Sequence, residues 1–453
     1  MIDMAHESQG NGYNLGEFQR FFHSQVSGSI MLLACAIIAL VWANSPWSEH
    51  YFHILHTKVG VSWADSTHAL SLHHWVNDGL MAIFFFVVGL EIKRELVVGE
   101  LSSIKQAVLP ISAALGGMVV PALLYAICNL GGAGAHGWGT PMATDIAFAL
   151  GILSLFGKRV PITLKVFLTA LAIVDDLGAV VVIALFYTEK ITLSAVVVAG
   201  LFMLLIVGAN RLGVRRSGIY LLLMVAVWVA VFASGIHTTV AGTLLALLVP
   251  VRAKIGPQVY LDRVKLRLAQ LEQSELTRES MIDDHSQLEA LGDIYVATDD
   301  MRPAGIALER HLHPLTNFII LPLFALFNAG VVINLDTLSA GPLSVALGII
   351  VGLVVGKQLG VMGASYLAVR SGHAELPEGV NWKQLWAASS LAGVGFTMSL
   401  FIASLAFRDN EALDSQAKLG VLLASLIAGV LGYWKLSHAL PRGEDAQGET
   451  PEH

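Results

Sequence analysis

Apolar runs of about 15 to 25 residues, separated by polar connections, recur along most of the chain. They are centred near Ala36, Phe85, Gly117, Ala147, Asp176, Leu201, Val227, Leu245, Leu323, Val354, Gly393 and Leu426. Runs of that length match the hydrocarbon thickness of a bilayer, so the pattern predicts an all-α polytopic membrane protein with about twelve transmembrane helices. Basic residues orient these spans. Lys93, Arg94 and Lys105; Lys158 and Arg159; Arg211, Arg215 and Arg216; Arg252 and Lys254; Arg370 and Lys383; and Lys435 and Arg442 fall in alternate connections. The intervening connections hold only Lys58, Lys190, Arg408 and Lys418. Cytoplasmic loops carry the excess of Lys and Arg, so both termini are expected in the cytoplasm. The expected organisation is a cytoplasmic tail at 1–26, transmembrane helices at 27–250 with an extracellular hairpin-like loop at 46–75, and a cytoplasmic hydrophilic insert at 251–310. Further transmembrane helices at 311–439 and a cytoplasmic tail at 440–453 follow.

Two segments depart from a plain bundle of spans. The insert, with LDRVKLRLAQLEQSELTRESMIDDHSQLEALGD at its centre, is far longer than a loop between neighbouring helices needs to be. Its mixed-charge, helix-forming composition predicts a partly helical appendage, with Asp283, Asp284, Asp299 and Asp300 as a solvated face and not a regulatory ion site. The second segment, from Trp47 to Trp75, contains HTKVGVSWADSTHALSLHHW, whose alternation and turn residues predict a hairpin. His50, His53 and His56 share a helical spacing that can bind metal, but they read better as surface histidines.

Composition supports the membrane assignment and removes other classes. Only 13% of the 453 residues are charged and 55% are hydrophobic, with a mean hydropathy of +0.67, which excludes an ordinary soluble domain. The net charge of −7 comes mostly from the tails and the insert, so it gives no sign of a nucleic-acid partner. Cys35 and Cys128 sit in apolar runs as small hydrophobes and make no disulfide framework. Asp3 and Glu7 precede the first apolar run without a basic cluster, so Ser27 to Ser45 reads as a retained first span and not a cleaved signal peptide.

Against this background the stretch TALAIVDDLGAVVVIALFY stands out, because Asp175 and Asp176 lie near its middle. Each mid-helix carboxylate costs about 2.5 to 3.5 kcal/mol on insertion scales, so the pair asks for about 5 to 7 before mutual repulsion. Other ionisable groups lie at similar depth. GTPMATDIAFALGILSLF brings Thr144 and Asp145 into a span that starts weakly, and LGIIVGLVVGKQLGVMGASYL carries Lys357 among Gly352, Gly356 and Gly360. SSLAGVGFTMSLFIASLAF contains Gly393, Gly395 and Thr397, so its helix is expected to be interrupted. Unwound backbone at membrane depth is tolerated only where it lines a cavity or is buried in protein.

These features predict a small aqueous cavity at the midplane. Adjacent helical positions project about 100° apart, so one aspartate can face an ion pathway while the other meets a partner helix, with Lys357 the natural partner. Burial and a like-charged neighbour disfavour ionisation, whereas an ammonium or a bound cation favours it. Carboxylates of Asp175 and Asp176, the Thr144 hydroxyl and freed carbonyls are hard oxygen ligands, suited to a hard cation such as Na+. Competition between H+ and Na+ for one set of oxygens would couple them in exchange. No cofactor is called for; the ions are substrates. A Na+-coupled symporter of similar architecture is the alternative. An intramembrane enzyme with an aspartate pair would need a second acidic motif near a membrane face, which the spans lack.

GLEIKREL, ATDIAFALG, LAIVDDLGAVVVIALFYT, SGIHTTVAG, LPLFALFNAG, GKQLG and GFTMSLFIASLAF, in that order, closely resemble the bacterial NhaA family of Na+/H+ antiporters, from about Asn77 to Trp434. That family is itself a known example of inverted-repeat transporters. The resemblance implies that the spans near Gly117 to Asp176 are related by a two-fold axis in the membrane plane to those near Val354 to Leu426, with broken helices around Asp145 and Gly395 crossing at the midplane. It further implies that Asp175 and Asp176 form the ion-binding pair, that Thr144 and Asp145 sit at the crossing, and that Lys357 pairs with Asp175. It implies electrogenic exchange at the bacterial inner membrane, with more protons entering than sodium leaving. Glu91, Arg94, Glu95, Glu309 and His313 match a cytoplasmic cluster linked to pH activation, and His237 matches another histidine tied to that response. Without the resemblance, Glu91, Arg94 and Glu95 read equally well as a solvated helix end. Arg310 stands where familiar members have a histidine, with His311 next to it, so the pH profile is not implied by the match. The family's extracellular hairpin, used for homodimers, has a counterpart after Trp47.

Overall fold

The structure is a computed structural model that describes residues 25–63, 66–188, 191–212, 217–253, 255–273, 285–333 and 344–441. Of the expected tails at 1–26 and 440–453, residues 1–24 and 442–453 lie outside the described residues, as do Lys190, Arg215, Arg216, Lys254, Asp283 and Asp284. Helix α1 (Gln25–Ala43) is followed by a short helix α2 (Ser48–His56) and an antiparallel hairpin of β1 (Lys58–Trp63) and β2 (Ser66–Ser71). Then come α3 (Met81–Val97), α4 (Ile104–Cys128), α5 (Ile146–Ser154), α6 (Ile162–Phe186), α7 (Leu193–Arg211), α8 (Ser217–Ser234) and α9 (Thr238–Leu248). The polar insert holds α10 (Pro257–Glu272) and α11 (His285–Met301). The chain continues through α12 (Ala304–Leu315), α13 (Leu321–Asn328), α14 (Ser344–Val351), α15 (Lys357–Arg370), α16 (Trp382–Leu391), α17 (Phe396–Ala406) and α18 (Glu411–Ala439).

Among the described residues, six helices are each long and apolar enough to cross a bilayer, and α16 with α17 adds a seventh as a pair bent by 46°. Each of the remaining expected centres also falls within a helix, but in pieces. Short apolar α8 and α9 cover Val227 and Leu245, and α3 covers Phe85 but carries Glu91, Lys93, Arg94 and Glu95 in its last turns. Wide turns with i to i+5 bonding join α12 to α13 at Thr316–Ile320 and α14 to α15 at Gly352–Gly356. The first follows Pro314, which has no N–H to continue the ladder.

Contacts between connections show that the spans alternate in direction. On one face Lys93 donates to the Leu247 and Val249 carbonyls, Arg94 meets Glu309, Arg159 donates to the Pro441 carbonyl and Thr163 to that of Glu378. On the other, Tyr51 donates to the Leu326 carbonyl, Asn44 to Val331, Tyr187 to His136, and Asn129 to Ser344. The first face collects the basic connections. The unit formed by α4, a broken segment ending in α5, and α6 starts at that basic face. Its counterpart, α14 with α15, then α16 with α17, then α18, starts at the opposite face. The two units are built alike and inserted in opposite senses. They meet along α4 and α15, where Gly116 and Gly360 bring the backbones together: a Cβ on either would strike the other's carbonyl oxygen.

The hairpin forms as expected, in the register Lys58 to Ser71 through Trp63 to Ser66, but a helix precedes it. Trp75 donates its indole N–H to the Val59 carbonyl at 3.0 Å and so ties the hairpin to the approach to α3. In the insert, α10 and α11 pack side by side, with Arg267 paired to Asp293 and the Tyr260 hydroxyl 3.3 Å from that of Thr298.

Candidate functional site

Both broken segments unwind for readable reasons. Ala143 and Asp145 adopt extended backbone (ψ 151° and 101°) ahead of α5, and Asp145 then caps that helix by accepting the Phe148 N–H at 3.0 Å. Its other oxygen reaches the second break, accepting the Thr397 N–H at 3.1 Å and the Thr397 hydroxyl at 2.6 Å at the start of α17. Its own N–H donates to the Val394 carbonyl at 2.7 Å. One residue therefore satisfies orphaned groups on both broken segments, and its carboxylate lies at the positive ends of two helix dipoles.

Asp175 and Asp176 project from the middle of α6 into this crossing and take different surroundings. Asp175 is fully buried, and its Oδ2 accepts from Lys357 Nζ at 2.5 Å and from the Thr144 hydroxyl at 2.8 Å. Lys357, also fully buried, donates to the Met142 carbonyl at 2.5 Å as well. Thr144 Oγ1 lies 2.8 Å from the Ala392 carbonyl, so a single hydroxyl proton is contested between that carbonyl and Asp175. Asp176, its neighbour, lines a cavity of about 340 Å³ with Thr144, Asp145 and Thr397 at its depth. Asp175 Oδ1 and Asp176 Oδ1 have no hydrogen-bond partner among the described residues. Asp175 thus meets Lys357 on α15, while Asp176 faces the cavity.

The mouth of the same cavity is lined by Glu91, Arg94, Glu309 and His313. Arg94 joins them through Glu309 at 2.5 Å, Glu95 at 2.9 Å and Glu91 at 4.0 Å. His313 lies 3.2 Å from the Asn317 amide, whereas Arg310 and His311 point to the exterior of α12. His237 is not part of this group. It lines a second cavity of about 510 Å³ at the opposite face, with His73, Asp78, Asn328, Arg408 and Glu411. There His73, just ahead of the span that holds Glu91, sits beside the paired amides of Asn77 and Asn328, and burial together with the Lys418 charge pushes its pKa down to about 3. It is a neutral hydrogen-bonding group at physiological pH.

His50, His53 and His56 lie on α2, and no cluster of three or more metal-ligating side chains occurs among the described residues. Sequence reasoning did not single out the Met142 and Ala392 carbonyls, since backbone acceptors leave no side-chain signature. Thr169 was also missed, although it lines the cavity two helical turns before Asp176, and only the i, i+7 spacing could have marked it.

The family described as Na+/H+ antiporter 1 matches residues 19–436. A protein of Sulfurimonas denitrificans named Na(+)/H(+) antiporter NhaA is 46% identical over 92% of this chain and 94% of its own length. Proteins with the same name from Wolinella succinogenes and Oleidesulfovibrio alaskensis are 45% and 46% identical, each over 96% of both chains. With the crossing, the buried pair and the cavity all falling inside a match that spans nearly every residue, this chain belongs to the NhaA family of Na+/H+ antiporters.

Proposed function

We propose that the protein exchanges Na+ for H+ across the bacterial inner membrane by alternating access, with both termini in the cytoplasm and Asp176 as the group that carries proton or sodium. The observation that supports this most directly is the unequal environment of the two aspartates. Asp175 has its charge offset by Lys357, while Asp176 opens onto the cavity with an unpaired oxygen. A lone buried carboxylate must hold either a proton or a cation. Na+ entering past Glu91 and Glu309 displaces the proton and takes oxygens from Asp176, Thr144 and Asp175 as ligands. Movement of the crossing then exposes the ion on the opposite face, where protons reload the site. The Asp175–Lys357 pair can release a second proton as Na+ binds, which makes exchange electrogenic and lets the membrane potential drive sodium export. Li+, of the same charge and hardness, is accepted as a substrate.

The names carried by the relatives favour antiport over Na+-coupled symport. The cluster of Glu91, Arg94, Glu95, Glu309 and His313 at the cavity mouth is proposed to set the pH response, with His237 acting separately from the other face. The hairpin after α2 is proposed to pair two copies into a homodimer. The test is ΔpH quenching in everted vesicles with Na+, Li+ and K+ added in turn. Asp176→Asn is expected to insert normally and lose Na+-dependent dequenching; retained dequenching would remove the assignment.

A further inference from the structure

One intramembrane lysine has no part in the exchange described above. Lys435 lies near the basic-face end of α18, where lysines commonly extend toward the lipid headgroups. This one turns into the protein instead. Its Nζ donates to Gln358 Oε1 at 2.6 Å and to Ser390 Oγ at 2.9 Å, and stands 3.9 Å from the centre of the Trp386 ring. Ser390 passes its own proton to the Trp386 carbonyl, so the donor and acceptor roles close without conflict. Three directions of the ammonium are thus used, by groups on two other helices.

The positions of those partners matter. Gln358 directly follows Lys357 on α15, so a displacement of one carries the other. Ser390 and Trp386 belong to α16, and two residues beyond Ser390 is Ala392, whose carbonyl contacts Thr144. The two helices that Lys435 links therefore each deliver one group to the Asp175 and Thr144 cluster. A cation–π contact and two charge-assisted hydrogen bonds in a half-buried setting are stronger ties than packing alone supplies.

We propose that Lys435 is a positioning residue for ion exchange: it locks the helix of Lys357 to the first half of the second broken helix, so that Lys357 and the Ala392 carbonyl meet Asp175 and Thr144 in a fixed relation. This rests on the reading that Asp175, Asp176 and Thr144 bind the ion. Loosening the lock leaves the ligands present but poorly aligned, which weakens sodium binding more than turnover.

The experiment compares Lys435→Met, Gln358→Leu and the double variant in everted vesicles, measuring apparent KM for Na+ and maximal rate, with the thermal unfolding midpoint of purified protein alongside. Each single variant is expected to raise KM about 3- to 10-fold, the size of effect of one or two lost hydrogen bonds, with maximal rate within about twofold. The double variant should be no worse than Lys435→Met, because Gln358→Leu removes only a bond that Lys435→Met has already removed. Wild-type KM in both single variants would overturn the proposal, as would additive losses or losses explained by a lower midpoint. If Lys435→Met fails to insert, Gln358→Leu alone decides. Asp176→Asn separates the two failures: an active Asp176→Asn variant refutes the ion site, whereas an inactive one beside unaltered Lys435 and Gln358 variants refutes only the lock.

Discussion

Thr144 is the residue at which the two broken segments and Asp175 of α6 touch through one oxygen. Its hydroxyl cannot donate fully to both Asp175 and the Ala392 carbonyl, so its proton shifts with the charge state of the site. When Asp175 is anionic and shared with Lys357, the hydroxyl is drawn toward it; in the exchange proposed above, the same oxygen would turn a lone pair to the arriving cation. Thr144→Val keeps the shape and removes both roles, leaving a buried carbonyl unpaired at a cost of about 1 to 2 kcal/mol. Apparent KM for Na+ should rise by about 5- to 30-fold, while Thr144→Ser should remain close to the parent protein. Sodium titrations of ΔpH dequenching check both.

At the scale of elements, the contact of α4 with α15 decides how rigidly the two inverted units are joined. Gly116 and Gly360 meet backbone to backbone, and backbone cannot rotate aside as a side-chain tip can. Gly360→Ala is expected to separate the helices and destabilise the protein by about 1 to 3 kcal/mol, read as a lowered unfolding midpoint in detergent. Gly363→Ala, one turn on and with open space around it, serves as the control and should be neutral or slightly stabilising. This scale also shows what the amino-acid sequence reveals and what it hides. Asp175, Asp176 and Lys357 are conspicuous because a charge within an apolar run demands a reason. The break near Gly395 is announced by its glycines. Other features have no such marker: the Met142 and Ala392 carbonyls can be anyone's backbone, and Asp145 as a bridge between two distant segments depends on a crossing that no local pattern encodes. The grouping of Glu91 with Glu309, and the exclusion of His237 from it, likewise depend on how distant spans pack. Length and hydropathy found the spans yet could not tell a continuous helix from one jointed at a wide turn, since Gly352–Gly356 remains apolar throughout.

For the whole molecule, exchange requires that sodium and protons exclude one another at a site reached from one face at a time. The cavity that ends at Asp176 opens past Glu91 and Glu309, and the second cavity begins beyond the core at the opposite face. Where one of the two exchanged protons competes with sodium, the apparent KM for Na+ should rise about tenfold for each unit by which pH falls below that titration, and about a hundredfold per unit where both compete, with maximal rate little changed. Initial rates across a pH and sodium grid test this; a KM independent of pH would rule out a shared site. In the exchange proposed above, Asp145 would give that exclusivity a mechanical basis. Because it fastens both broken helices at once, neither can slip without stranding polar backbone groups. Two independent doors could stand ajar together and let the gradient drain away. A pair hung on a single hinge pin swings as one, and the membrane stays sealed while the cargo changes sides.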